Sequence, residues 1–511
     1  LAYCRVSDVS PLAGLVNLRV LKLHHNLTRD FTPLLGLKNL TDFDNGGICE
    51  IAPLPPPVTE RIVNKTFPSI ALPPHSLYNT APVRRLTYWD DPDIYYDVAT
   101  KHNMHHYAHR FGLRWQLTPI EPTEGLAARL SGHPEHVMNE YQKYAQRNPN
   151  MLFLPTVAIG IYGGLDAFPP DSDFWLRDAN GQIIKNEVPW DEYTIDILNP
   201  EVQQLVIEQV VGIAECGYFN GVMFDTWAPY HIGVYGKHFN IGEEEVIAAY
   251  IKILKGIRAR VRDDFLILVN RNRKKSPRYA EWINGSHMET APDHPGGYTH
   301  ERLMTIEDSL LWNEEHLREP RINILHGEGV NQPIDGPDNL CWMRVFTTLS
   351  LTHSDGYCIF IAPVPGEYKE VPDGGHIWYD FWNIDLGRPV GGAETKGQLY
   401  DNRNGIFIRE FTNGWAVYNR SGQEQRIQLP MQATGVESGI TSRTHTLPDL
   451  DGEMYLKQET GTSADVNSDG VVNIQDLVIV ANALGKAEPD LNGDGVVNIL
   501  DLVIVANAFG N

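Results

Sequence analysis

Four polar residues stand at or just past apolar runs in the middle of this 511-residue chain. Asp225 ends Gly221–Asp225, Asn270 ends Phe265–Asn270, Glu289 ends Gly285–Glu289, and Glu328 follows Ile322–His326. Two carboxylates at strand ends can divide the breaking of a glycosidic bond, one as nucleophile and one as acid. Trp89 and Asp90 close the first apolar run, Trp227 lies just beyond Asp225, Arg271 follows Asn270, and His326 precedes Glu328. Such aromatic, amide, guanidinium and imidazole groups suit sugar binding. Each has a structural alternative: Asp225 could fix a loop, Glu289 could be a surface carboxylate, and both tryptophans could be packing residues.

A second chemistry is written near the C-terminus. Asp465, Asn467, Asp469, Asn473 and Asp476 occupy positions 1, 3, 5, 9 and 12 of a loop, and Asp490, Asn492, Asp494, Asn498 and Asp501 repeat them 25 residues later. Gly470 and Gly495 take position 6 for the sharp turn, and Val471 and Val496 take position 7, which donates a backbone carbonyl. A hard cation prefers several oxygens, so two Ca2+ ions are expected here. Asp476–Ala483 and Asp501–Ala508 are the same octapeptide, DLVIVANA, so one surface is presented twice. The Asp at position 12 and the single helix-like stretch after each loop resemble a type I dockerin. That resemblance implies a cohesin-type scaffold protein as partner, with Ile474, Gln475, Ile499 and Leu500 at the positions that set specificity.

These residues need elements to hold them. Apolar runs at 86–89, 105–109, 152–158, 221–225, 265–270, 285–289, 322–326 and 356–361 alternate with helix-like stretches at 134–147, 200–216, 243–262, 299–317 and 337–352. Eight strands with intervening helices predict an α/β fold, a (β/α)8 TIM barrel over 83–391, whose strand ends carry the site. Residues 160–198, with a hairpin turn at Asp178–Gly181, read as a lid inserted before the fourth strand's helix. Residues 392–459 alternate around Thr412-Asn413-Gly414 and predict a small β-sandwich domain. Residues 460–511 form the calcium module. At the other end, Pro11–Leu18 recurs as Pro33–Leu40, 22 residues on, and residues 1–50 read as a leucine-rich-repeat remnant. The proline-dense stretch 51–82 reads as a linker.

Phe219–Asp225, Asn284–Glu289, Asp385–Pro389 and Arg409–Gly414 together resemble a group of glycoside hydrolases related to the α-amylase and α-galactosidase superfamily. The resemblance covers about residues 83–430. It implies a retaining enzyme with Asp225, at the fourth strand's end, as nucleophile. It places the acid on the fifth or sixth strand, where Glu289 matches because the fifth run ends in Asn270; Glu328 is the alternative acid. For an acid that must hold its proton, partial burial beside Met288 or an aromatic could serve Glu289, and donors such as Arg271 are expected to help Asp225.

Composition narrows the classes. With 42 basic against 65 acidic residues, a net charge of −23 argues against nucleic acid as partner. No apolar run reaches the roughly 20 residues of a membrane span. Beginning at Leu1, the chain reads as a fragment or mature form, expected outside the cell or on its surface. Five cysteines lack metal-ligand spacing: Cys4 and Cys49 could pair, while Cys216, Cys341 and Cys358 read as buried thiols. Strand alternation would split His105 and His109 from His106, so no metal is expected there. The expected function is a secreted glycoside hydrolase on a poly- or oligosaccharide. The competing reading is a non-catalytic carbohydrate-binding or adhesion protein with a decayed barrel; a metal-dependent hydrolase lacks a ligand set.

Overall fold

The computed structural model describes residues 6, 8–23, 32–34, 37–39, 42–44, 56–72, 96–97, 99–107, 111, 114–116, 129–131, 134–159, 161–163, 168, 170–185, 192–362, 378–458, 464–492 and 494–509. Its centre is one parallel sheet of eight strands: β1 (Ala71–Leu72), β2 (Met104–Tyr107), β3 (Leu152–Ala158), β4 (Gly221–Asp225), β5 (Leu266–Asn270), β6 (Gly285–Thr290), β7 (Ile324–Glu328) and β8 (Tyr357–Ile361). They neighbour one another in chain order. Ile70 bridges Cys358 in parallel, and the Cys358 N–H donates to the Ser69 carbonyl at 2.9 Å, which returns β8 to β1 and closes a barrel.

Both faces of β4, β5 and β8 are buried, which is why these strands read as near-continuous apolar runs. Alternation sends Met104, Leu152, Leu154, Met223, Leu266, Leu268, Ile324 and Ile359 into the barrel. Val222, Phe224, Ile267 and Val269 turn outward into the layer shared with the helices. The helices are α1 (Val58–Val63), α2 (Pro134–Ala145), α3 (Pro200–Glu215), α4 (Pro229–Phe239), α5 (Glu243–Arg258), α6 (His300–His316) and α7 (Pro337–His353). α3 starts as its sequence dictates, with Asn199 accepting the Glu201 N–H and Pro200 in the first turn. The connection from β5 to β6 is turns alone.

Asparagines placed just before strands fix the register at the opposite end from the site. Asn220 accepts the Phe153 N–H and Asn284 the Ile267 N–H, both at 2.9 Å. Gly285 follows because any Cβ there would sit 1.6 Å from the Ile322 carbonyl oxygen.

The segment expected to be a linker is part of the barrel. β1 comes from residues 71–72, so the first strand is not the run at 86–89, which lies outside the described residues. A two-residue strand carries no periodicity to read, and proline density conceals a six-residue helix. α1 places Val58 in the barrel's interior core, while buried Arg61 donates to the carbonyls of Pro56 and Met151, to Asn220 Oδ1 and to Tyr141 Oη. Arg61→Ala would strip several buried acceptors at once and should destabilise the barrel by about 2–4 kcal/mol, read from the denaturation midpoint. A fragment starting at residue 78 lacks both α1 and β1 and should fail to fold cooperatively, whereas one starting at 56 should melt in a single transition.

Residues 160–198 lead from β3 into α3. Their hairpin turn is present, with the Gly181 N–H donating to Asp178 O at 2.9 Å. Trp175, Ile184 and Ile195 of this insertion are buried in the main core, so it is anchored rather than a free flap.

The chain divides into two compact units, residues 1–382 and 383–511, so the second unit starts nine residues before the expected 392. Leu386 and Arg388 explain this: their carbonyls accept the Asn413 and Thr412 N–H groups of the first hairpin. The unit holds one antiparallel sheet rather than a sandwich of two. Its strands are β9 (Ile406–Phe411), β10 (Gly414–Asn419), β11 (Gln425–Gly435), β12 (Thr441–Leu447) and β13 (Asp451–Lys457), in the order β9–β10–β13–β11–β12. β11 is long and irregular between Gln428 and Ala433, so one strand serves both neighbours, a distinction that simple alternation cannot reveal. The unit ends in α8 (Ile474–Asn482) and α9 (Ile499–Asn507). At the N-terminus, Val20–Lys22 and Asp42–Asp44 pair in parallel with the 22-residue offset of the sequence repeat.

Cys216 is disulfide-bonded rather than a free thiol. Cys358 is a buried thiol, and Cys341 is half-buried.

Candidate active site

Strands β4 to β7 end alike: buried residues run up each strand until one half-buried polar residue appears at the C-terminal side. These residues are Asp225, Asn270, Glu289 and Glu328. Asp225 shares its face with Met223, Asn270 with Leu268, and Glu328 with Ile324, so all three point into the barrel mouth.

Asn270 ties the row together. Its Nδ2 donates to Asp225 Oδ1 at 3.0 Å and to Glu289 Oε2 at 2.9 Å. Its Oδ1 accepts the Asn272 N–H at 3.1 Å, which fixes the direction of the amide. Both amide hydrogens therefore face carboxylates. Asp225 Oδ1 also accepts the N–H of Thr226 at 2.8 Å. Thr226, Ala228 and Asn272 hold positive φ angles of 52°, 49° and 51°, a conformation costly for a β-branched residue and concentrated here at the strand ends.

Below this row lies a layer of which the sequence singles out only His326. His287 and His326 are buried and stacked, centroids 5.3 Å apart, with His287 Nε2 3.1 Å from His326 Nδ1. Burial, with His326 beside it, pushes the His287 imidazole down to about 3, so it stays neutral. The signal was available, since His287 is two residues before Glu289 and strand alternation puts both on one face. The Tyr298 hydroxyl, also buried, lies 2.6 Å from the Thr290 carbonyl and 2.8 Å from the Glu328 carbonyl, and accepts the Glu328 N–H at 2.9 Å. Burial raises the Glu328 carboxyl above the usual carboxylate range, and the neighbouring Glu289 raises it further.

Several expectations change. Trp227 is 1% exposed and packs edge-on against Tyr250 and Tyr279, so its face is not open to a sugar. Arg271 lies over the Tyr279 ring, 5.8 Å from its centroid, and the donors to Asp225 are Asn270 and Thr226 instead. Met288 is buried, and its sulfur faces Asn313 at 3.7 Å, on the strand face opposite Glu289. His326 is buried beneath the row rather than at its rim. Trp89 and Asp90 lie outside the described residues.

Residues 167–415 match the model of a family described as hypothetical glycosyl hydrolase family 15, and all four strand-end residues fall within that span. The chain carries a domain of glycoside-hydrolase type. Among solved structures, this chain is similar to a noncanonic maltogenic α-amylase from Thermotoga neapolitana, at 10% identity over 76% of this chain and 99% of that one, with a TM-score of 0.41. It is also similar to an α-amylase from Geobacillus thermoleovorans complexed with acarbose, at 12% identity over 77% and 98%, with a TM-score of 0.43. A third is the glycoside hydrolase domain of PelA from Pseudomonas aeruginosa, at 13% identity over 53% and 98%, with a TM-score of 0.31. No curated protein sequence matches the chain.

Beyond the hydrolase domain, the two C-terminal loops fold alike. Gly470 and Gly495 take φ angles of +89° and +93° at the sharp turn. Asp465 Oδ2 accepts the Gly470 N–H at 2.8 Å and Asp490 Oδ2 the Gly495 N–H at 2.6 Å. Asn473 and Asn498 cap α8 and α9, each in a capping box with Asp476 or Asp501. Among the described residues, no three His, Cys, Asp or Glu side chains converge on one point. The donor set of each loop also counts amide and backbone oxygens, which is calcium chemistry. No helix among the described residues is long and apolar enough to cross a membrane.

Proposed function

We propose that the barrel hydrolyses a poly- or oligosaccharide with retention of anomeric configuration. Asp225 attacks the anomeric carbon, Glu289 completes the pair across the mouth, and the leaving-group proton comes from the side where Glu289 and Glu328 stand. The observation that carries this reading is the shared Asn270 amide. Because one nitrogen bonds both carboxylates, Asp225 Oδ1 and Glu289 Oε2 can be no farther apart than the 3.0 and 2.9 Å bonds laid end to end. That leaves no room between them for the water that inverting enzymes seat in a gap of about 6.5–9.5 Å, so Asp225 itself is the group placed to attack, whichever of Glu289 and Glu328 gives the proton. A panel of polysaccharides and oligosaccharides, with the product anomer followed by NMR at early times, tests the reading. Retention is expected, and an inverted first product would sink it.

The C-terminal module supports delivery of this activity to a scaffold. Each loop would hold one Ca2+ through Asp465, Asn467, Asp469, the Val471 carbonyl, Asn473 and Asp476, or through Asp490, Asn492, Asp494, the Val496 carbonyl, Asn498 and Asp501. The ion would neutralise clustered acids and cross-link the loop. The repeated helices leave Ile474 and Val478, and Ile499, Leu500 and Val503, exposed, and such an apolar pair of faces suits a cohesin-type partner outside the cell. The disulfide at Cys216 accords with an oxidising compartment. The N-terminal pair of parallel strands fits a leucine-rich-repeat remnant.

A further inference from the structure

We propose that Glu328, at the end of β7, carries the leaving-group proton, while Asn270 keeps Glu289 charged between Glu328 and Asp225. This rests on the hydrolase reading above and assigns the acid within it. The argument starts from hydrogen-bond accounting. An amide N–H aimed at a carboxylate oxygen favours the ionised form, and Asn270 gives one N–H to Asp225 and the other to Glu289. The amide cannot turn round to accept a proton from either acid, because its oxygen is held by the Asn272 N–H. Glu289 is thereby built as a carboxylate.

Glu328 is built the other way. Its backbone is locked on both sides, by the Tyr298 hydroxyl and by β8, where Gly329 N–H donates to Ile361 O at 2.7 Å. Its carboxyl is largely buried, and the charge of Glu289 on the adjacent strand acts on it. Among the described residues, the other titratable groups around it do not offset that charge. His326 on its own strand pairs with the neutral His287, Tyr298 is a buried phenol, Arg302 is turned to Asp293 at 3.7 Å, and Arg271 lies on Tyr279. Two carboxyls so placed cannot both ionise cheaply, and Asn270 decides which one keeps the proton. The raised Glu328 carboxyl agrees with this ordering.

The reaction then balances. As Asp225 forms its bond to the anomeric carbon, the carbon–oxygen bond to the leaving group breaks, and its electron pair takes the Glu328 proton. In the second half, the Glu328 carboxylate takes a proton from water, the water oxygen bonds the anomeric carbon, and the bond to Asp225 breaks. Glu289 stays ionised throughout and faces the positive charge that develops on the ring.

The test is an infrared titration of the whole protein, following the protonated-carboxyl band above the ordinary carboxylate range. The wild type should show one such band. Glu328→Gln should abolish it, whereas Glu289→Gln should keep it with its midpoint moved to lower pH. A wild type with no such band, or a band lost in Glu289→Gln and kept in Glu328→Gln, overturns the assignment. The wild-type result stands even if a variant fails to fold. The kinetic arm compares aryl glycosides of one sugar with a dinitrophenyl or a methylphenyl leaving group. Glu328→Gln should lose about 10²–10⁴-fold on the methylphenyl glycoside and little on the dinitrophenyl one, which needs no protonation. That pattern in Glu289→Gln instead overturns the acid assignment alone. No hydrolysis by the wild type of any glycoside in the panel fails the hydrolase reading, and the assignment falls with it.

Discussion

Asp225→Ala should lower kcat/KM on any glycoside the protein hydrolyses by about 10³-fold or more, with the melting temperature little changed. The expectation follows from where Asp225 stands. It is the last residue of a strand whose other members are buried, and it is itself half-exposed at the mouth. Its removal therefore opens space at the site rather than a void in the core, and Phe224 and Met223 beneath it keep their packing. What is lost is the atom that bonds carbon. A small anion such as azide should enter that space and restore turnover, giving a glycosyl azide of inverted configuration. Activity within about tenfold of wild type would remove Asp225 from the nucleophile's role. Asn270→Ala should show a smaller loss with a distorted pH profile, because the two carboxylates lose their shared donor.

Chelation of calcium should unfold residues 465–509 while the rest of the chain stays folded. The module's core is small: Val480, Ala483, Leu491, Val497 and Val505 are its fully buried apolar residues, too little to hold two nine-residue helices against chain entropy. Without a cation, the clustered acids of each loop repel one another. Amide exchange of α8 and α9 in the full chain is the measurement. Protection should vanish with EDTA and return with added Ca2+; protection indifferent to EDTA would end the calcium reading. Acid should act in the same direction. The Asn473 N–H holds the Asp476 carboxyl below its usual range, so its contribution is present above the ordinary carboxylate pKa and is lost as pH falls through the lowered one.

Much of the site could be read before any coordinates. β4 was legible to the residue, and β5, β6 and β8 to within one residue at each end, because fully buried parallel strands leave unbroken apolar runs with a polar residue at the mouth. β7 reads two residues early, at 322–326, since buried Ile322 extends the apolar signal below the paired strand. That shift put Glu328 beyond the strand instead of at its end. The role of Asn270 could not be read at all. A side chain that bridges two neighbouring strands leaves no spacing in the chain, and its direction depends on the backbone turn at Asn272. Trp227 misled for a related reason: aromatic type suggests a sugar platform, but the strained turn through Thr226 and Ala228 aims the ring down onto Tyr250.

The barrel is unevenly stitched. Among the described residues, β6 and β7 share four pairs and β7 and β8 share five, whereas β1 meets β2 through two, and β8 reaches β1 through the bridge of Ile70 and Cys358. Among the described pairs, the fewest thus lie away from the strands that carry Asp225, Asn270, Glu289 and Glu328. Warming or pulling should part the staves there first, and the barrel can breathe at its seam while the four residues across β4 to β7 keep their spacing. Amide exchange should show this as a gradient around the ring, fast at Cys358 and slow at Leu325, with the arc from β4 to β7 moving as one rigid plate.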